Sequence, residues 1–230
     1  MSIVYSTPEM ESVEVRPDVP FADGLVMDVY TPPGVPEPER AVVIVAGYPD
    51  PGFQRKLGFR FKDMPSNVAW ARLIAAAGLT AITYTNVEPV SGLSLLLDTL
   101  GERPVSLLAS SGNVPLALSA LHRARCAALL YGFMLEVEGA IAETAKTFGF
   151  ANPGFTFPGE KPLFVARAGQ DQFPRLNETL DAFVVEALRR NAPLTFANHP
   201  EGPHAFDLSH DSGRSREIIR QAVAFLQTNA

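Results

Sequence analysis

Three short stretches of this chain carry residues that could move an acyl group. Residues 105–121 read VSLLASSGNVPLALSAL, which sets the pair Ser110–Ser111 between an apolar run of strand type and an apolar run of helix type. A serine at so sharp a strand-to-helix turn is held out from the backbone, open to a base and a substrate, if the residues two before and two after it are small. Ser111 has Ala109 and Asn113 at those positions and Gly112 beside it. Ser110 has Leu108 two before, whose bulk would strike a neighbouring element, so Ser111 is the preferred nucleophile. A serine that merely caps the following helix would read the same way on its own.

The second stretch, ARAGQDQF at 166–173, places Asp171 just past a strand, where a carboxylate could orient a histidine or simply cap a turn. The third, NHPEGPHAFD at 198–207, offers two histidines. His199 is expected at a strand end with its ring direction fixed by the sheet. His204 sits farther along, in a Gly/Pro loop able to reach back to a serine. His204 is therefore the preferred base: an imidazole near neutral pH can take the serine proton and return it to a leaving group. His122 and His210 read as structural or solvated. A fourth stretch, VAGYPD at 45–50, follows a buried strand. There the backbone N–H of Tyr48, paired with that of Gly112, would bind an oxyanion; Pro49 has no N–H to give.

These groups need a scaffold that brings strand ends together. Residues 13–15 and 25–30 read as short strands around a turn at Asp23–Gly24, followed by a proline-rich bend at 31–38. The run AVVIVAG at 41–47 is apolar without alternation, as in a strand covered on both faces. Strands at 79–84, 105–109, 127–131, 163–168 and 194–197 then alternate with helical patterns, one of which Ser66 is expected to cap. Such alternation implies right-handed crossovers, a mostly parallel central sheet flanked by helices on both faces, and an antiparallel edge from the leading strands. The expectation is one α/β domain over residues 1–230. Residues 135–158 break the rhythm with a short helix and a Gly/Pro/Phe stretch, readable as a small lid or as an irregular crossover. Tyr48, Phe53, Phe150 and Phe155 are candidate substrate-binding residues, with Phe59 and Phe61 as further aromatics for an apolar pocket or for the core.

Composition narrows the classes. With 47% hydrophobic residues the chain can build a sizeable core, which excludes a disordered or collagen-like protein. A net charge of −6 with no basic run argues against a nucleic-acid partner. The lone Cys126 allows no internal disulfide and no CxxC zinc pair. The opening MSIVYSTPEMESVEV has no basic region followed by an apolar one, and the longest uncharged stretch, 104–121, is broken by Asn113, Pro115 and serines. A cytoplasmic chain with no membrane partner is the expectation.

At this point the sequence resembles the α/β-hydrolase superfamily, and within it the small esterases and dienelactone-hydrolase-like enzymes. The resemblance spans nearly the whole chain. The order Ser111, Asp171, His204 is that of the superfamily's triads. DVPFADGLVMDVYTPPG at 18–34 resembles the leading strands of its esterase-like members. AGYP resembles an H-G-x-P oxyanion turn with Ala46 for the usual histidine, ASSGN an elbow with Ala109 and Asn113 for glycines, and PHAFD the H-G-F histidine turn. Ser111 stands where dienelactone hydrolases carry a cysteine. The resemblance implies a carboxylesterase-like serine hydrolase cleaving a small ester or thioester through an acyl-enzyme. No cofactor or metal is implied, and a homodimer is the one macromolecular partner admitted. Two alternatives stay open: a non-catalytic binding protein on the same fold, or another reaction of the same triad, such as C–C bond hydrolysis, perhydrolysis or acyl transfer.

Overall fold

The apolar runs of the chain centre become adjacent parallel strands. The fold is given by a computed structural model describing residues 1–34, 37–157 and 159–230. Part of the bend at 31–38 (Val35 and Pro36) and the last residue of the 135–158 segment (Pro158) lie outside the described residues. The strands are β1 (Glu14–Ala22), β2 (Leu25–Thr31), β3 (Ala41–Ile44), β4 (Thr80–Tyr84), β5 (Val105–Ser110), β6 (Ala127–Leu130), β7 (Leu163–Gln170) and β8 (Leu194–Pro203). The helices are α1 (Asp50–Leu57), α2 (Pro65–Ala76), α3 (Pro89–Leu100), α4 (Val114–Ala120), α5 (Ala140–Phe148), α6 (Leu176–Arg189), α7 (Phe206–Ser209) and α8 (Gly213–Asn229).

One eight-stranded sheet runs in the order β1-β2-β4-β3-β5-β6-β7-β8. β1 and β2 are antiparallel to their neighbours, and β3 to β8 are parallel. Every residue of β3 and β6 is buried, which is why their sequences are apolar without alternation. The chain leaves β3 in one direction, to β4, and returns on the other side to build β5 through β8. The switch point therefore lies between the carboxyl ends of β3 and β5, where ligands bind in open α/β sheets. This is the α/β-hydrolase fold.

Several boundaries differ from the sequence reading for definable reasons. Pro65, with φ preset for a first helical turn, starts α2, so Met64 is its N-cap and Ser66 lies inside the helix. β7 and β8 pair beyond the apolar cores that announce them, as far as Gln170 and Pro203. His199 is consequently inside β8, and His204 directly follows the strand. β3 ends at Ile44, and the chain from Val45 to Pro49 forms a turn into α1, an element the proline-flanked sequence DPGFQRKL conceals. Among the described residues, no helix is long and apolar enough to cross a membrane.

Candidate active site

The turn after β5 has no spare residues. Ser110, the last residue of β5, is extended, and Ser111 opens a 3-10 turn that leads straight into α4. Ser111 pays for this sharpness with φ +54°, a left-handed conformation costing a β-carbon-bearing residue about 1–2 kcal/mol. Gly112 is required by what lies against it. A Cβ there would sit 2.3 Å from the Tyr48 hydroxyl and 2.7 Å from the Phe150 ring.

His204 brings its Nε2 to 2.9 Å from Ser111 Oγ and its Nδ1 to 2.7 Å from Asp171 Oδ2. A proton on Nδ1, shared with the carboxylate, leaves Nε2 as the acceptor for the serine hydroxyl. The Asp171 side chain is fully buried and also accepts the Phe173 N–H at 2.9 Å. Two rings hold the imidazole edge-to-face, Phe173 with centroids 4.5 Å apart and Tyr131 at 4.9 Å. Tyr131 is itself anchored, its hydroxyl donating to Asp207 Oδ1 at 2.6 Å, while Trp70 Nε1 donates to Asp207 Oδ2 at 2.9 Å. Burial raises the Asp207 carboxyl above its ordinary value. The other serine and histidine of the sequence reading lie apart from this chain of hydrogen bonds. Ser110 faces Tyr131. His199 is buried beside Ser212, Ser215 and His210.

The turn after β3 is held from both sides. Asn113 Oδ1 accepts the Gly47 N–H at 2.7 Å, and Asn113 Nδ2 donates to Ser110 O at 3.0 Å. Asn86 Nδ2 donates to Tyr48 O at 3.2 Å, the Ala151 N–H donates to Gly47 O at 2.8 Å, and Tyr84 takes the Ala46 N–H at 3.1 Å. The Tyr48 N–H has no partner among the described residues. An unpaired backbone donor beside the elbow is a candidate donor to an oxyanion. Gly112 N–H, in the first turn ahead of α4, has no intrahelical acceptor either.

A cavity of about 240 Å³ opens beside Ser111, walled by Phe53, Leu57, Phe61, Met64, Trp70 and Leu208, with Tyr48, Tyr131 and His204 around its reactive end. The wall at 61–64 is fixed by buried polar contacts. Lys62 Nζ lies 2.7 Å from both Asp28 carboxylate oxygens, and Asp50 accepts the Phe61 N–H at 2.6 Å and the Asn86 N–H at 2.9 Å. Burial pushes the Tyr48 phenol up to about 12, so it stays protonated in this setting.

The aromatic candidates divide. Phe53 and Tyr48 line the cavity; Phe150 borders it, packed on Gly112 and edge-on to Tyr48 with centroids 5.9 Å apart. Phe155 does not reach the site: it packs on Phe183 with centroids 6.0 Å apart, because the chain beyond Ala151 turns back toward α6. Phe59 lies behind Phe53, 6.1 Å away. The 135–158 segment contributes α5 and Phe150 to a small cluster with Phe133, Ile141, Ala145 and Leu176, against which Tyr48 and Phe173 pack. Sequence reasoning missed Asn113 as the clasp of the β3 turn, and it missed the Trp70–Asp207–Tyr131 linkage. An asparagine in place of an elbow glycine was the visible signal for the first; the second left none in the local sequence.

No protein-family model matches the chain, and no curated protein matches it. Solved structures do. An esterase from the bacterial hormone-sensitive lipase family superposes with a TM-score of 0.69 at 14% identity, over 98% of this chain and 88% of that one. Brefeldin A esterase, a bacterial homologue of human hormone-sensitive lipase, gives a TM-score of 0.65 at 15% identity, over 99% and 81%. A bacterial heroin esterase gives 0.67 at 12% identity, over 98% and 87%. At such identities the likeness shows the α/β-hydrolase fold, and the chemistry must be argued from the site.

Proposed function

We propose that this chain is a serine hydrolase of small esters, carboxylesterase-like, working through Ser111, His204 and Asp171. The observation that carries the reading is the continuous hydrogen-bond chain from Ser111 Oγ through His204 to a fully buried carboxylate. His204 Nε2 takes the hydroxyl proton as Ser111 Oγ attacks the ester carbonyl carbon. The oxygen that becomes negative is met by the N–H groups of Tyr48 and Gly112. Collapse breaks the C–O bond to the alcohol, which leaves with the proton from His204. Water, deprotonated by the same imidazole, then releases the acid and restores Ser111.

The neighbours described above are themselves esterases, which supports an ester as substrate. The PHAFD turn supports a reading nearer the dienelactone-hydrolase-like esterases, with serine for cysteine. A cavity of about 240 Å³ lies below the usual ligand-pocket range of roughly 300–1,000 Å³, so small substrate groups are favoured. Tyr48 and Phe53 would line the path of substrate, and Phe150, carried by the 135–158 segment, would cap the elbow. The whole chain would act as one domain, with that segment as a short cap.

The test is pre-steady-state hydrolysis of 4-nitrophenyl acetate and butyrate. The expected result is a burst of nitrophenol stoichiometric with enzyme, lost in Ser111→Ala. A folded wild type that turns over neither ester would return the chain to the binding-protein reading.

A further inference from the structure

The cavity lining carries polar groups that ester hydrolysis as such does not use. Ser66 is only 4% exposed, lines the cavity, and its hydroxyl has no hydrogen-bond partner among the described residues. It lies in the first turn of α2, whose N-cap Met64 offers no side-chain acceptor. Pro65 has no N–H, and those of Ser66 and Asn67 are unpaired among the described residues. The first turn of a twelve-residue helix thus brings two unpaired N–H groups and one unpartnered hydroxyl to the lining of the cavity beside Ser111. One turn along the same face, Trp70 fixes Asp207. The Asp207 carboxyl, only 1% exposed, accepts from Trp70, from Tyr131 and from its own backbone N–H, which leaves one of its about four acceptor sites.

The cavity lining therefore combines donors, from Ser66 and the α2 N-terminus, with an acceptor, Asp207. An ammonium group donates only: Ser66 Oγ and Asp207 could accept from it, but the α2 N–H groups would be left unmatched and would face a like charge. A carboxylate accepts only and would face Asp207. A methyl group would leave every one of them unsatisfied. A hydroxyl both donates and accepts, and it is the smallest group to do so. We infer that the substrate of this site is an ester bearing a hydroxyl on the half that enters the cavity, bound between Ser66 with the α2 N-terminus and Asp207. The inference rests on the hydrolase reading above and adds its substrate class.

The test compares isosteric esters that exchange a methyl for a hydroxyl. Ethyl 3-hydroxybutyrate is set against ethyl 3-methylbutyrate for the acid half, and 2-hydroxyethyl butyrate against propyl butyrate for the alcohol half. Each kcat/KM is normalised to the ester's rate with hydroxide, and the same preparation is treated with a fluorophosphonate to read Ser111. The expected result is a preference for the hydroxylated ester of at least about tenfold in one arm, which also identifies the half that is bound. In Ser66→Ala that ratio should fall to within about twofold of unity. Being a ratio on one enzyme, it is insensitive to partial misfolding. A wild-type ratio below about tenfold in both arms, or a ratio that survives Ser66→Ala, overturns the inference. Labelling of Ser111 in that case leaves the hydrolase reading standing. Absence of both labelling and turnover removes the two together.

Discussion

Asn113 Oδ1 accepts the main-chain N–H of Gly47 at 2.7 Å, so the turn that offers an oxyanion donor is fastened to the elbow that carries the nucleophile. A glycine at this elbow position could not make that link. Asn113→Ala should free the Gly47 N–H and loosen the Tyr48 donor, lowering kcat by about 10- to 100-fold with a smaller change in KM. Asn113→Asp, which can accept from Gly47 but cannot donate to Ser110 O, should fall between the two. Steady-state kinetics on a 4-nitrophenyl ester would read both; an unchanged kcat in Asn113→Ala would show that the turn is held by its other contacts.

Asp171→Asn should keep the fold and lose the chemistry. An amide at this position can donate to Nδ1, which moves the histidine proton to Nε2 and blocks acceptance from Ser111. In triad hydrolases this exchange costs on the order of 10⁴ in kcat. The expected outcome is a melting temperature near wild type and turnover close to background.

His199 should govern stability with pH rather than catalysis. Burial, then the neighbouring His210 and Arg214, hold its imidazole below the ordinary value of 6.5. Below that value the unfolded chain binds a proton that the folded chain resists, so stability rises with pH through the window beneath 6.5 and is lost as pH falls. Thermal melts between pH 7 and pH 5 should show wild type losing more stability than His199→Gln, whose curve should be flatter. Parallel curves would mean that His199 contributes no titration.

Gly132, at the end of β6, is held small by packing: a Cβ there would lie 2.2 Å from Val114 Cγ2. Gly132→Ala should destabilise by about 1–3 kcal/mol in urea titrations. Adding Val114→Ala, which removes the struck methyl groups, should recover part of that loss. A strictly additive double variant would place the strain elsewhere.

Much of this site could be read from the sequence because its parts follow strands in a fixed order. Ala109 two before Ser111, against Leu108 two before Ser110, separated the serines by size alone. Asp171 announced itself by following an apolar strand. The preference for His204 over His199 rested on loop reach, whereas the structure separates them by strand length: β8 runs on to Pro203 and buries His199 within it. Contacts between residues distant in sequence left no local trace. Trp70 and Asp207 are 137 residues apart, and nothing in the pattern around either points to the other. Ser66 read as a helix cap because serine favours that position, yet Pro65 had already fixed the helix start.

The central claim is that Ser111 is an activated nucleophile whose base is His204. Fluorophosphonate labelling, with the modified residue mapped by mass spectrometry, tests it in wild type, Ser110→Ala, Ser111→Ala and His204→Ala. Labelling at Ser111 that persists without Ser110 and disappears without His204 is the predicted result. A label on Ser110, a label that survives His204→Ala, or no label on the folded protein would contradict it.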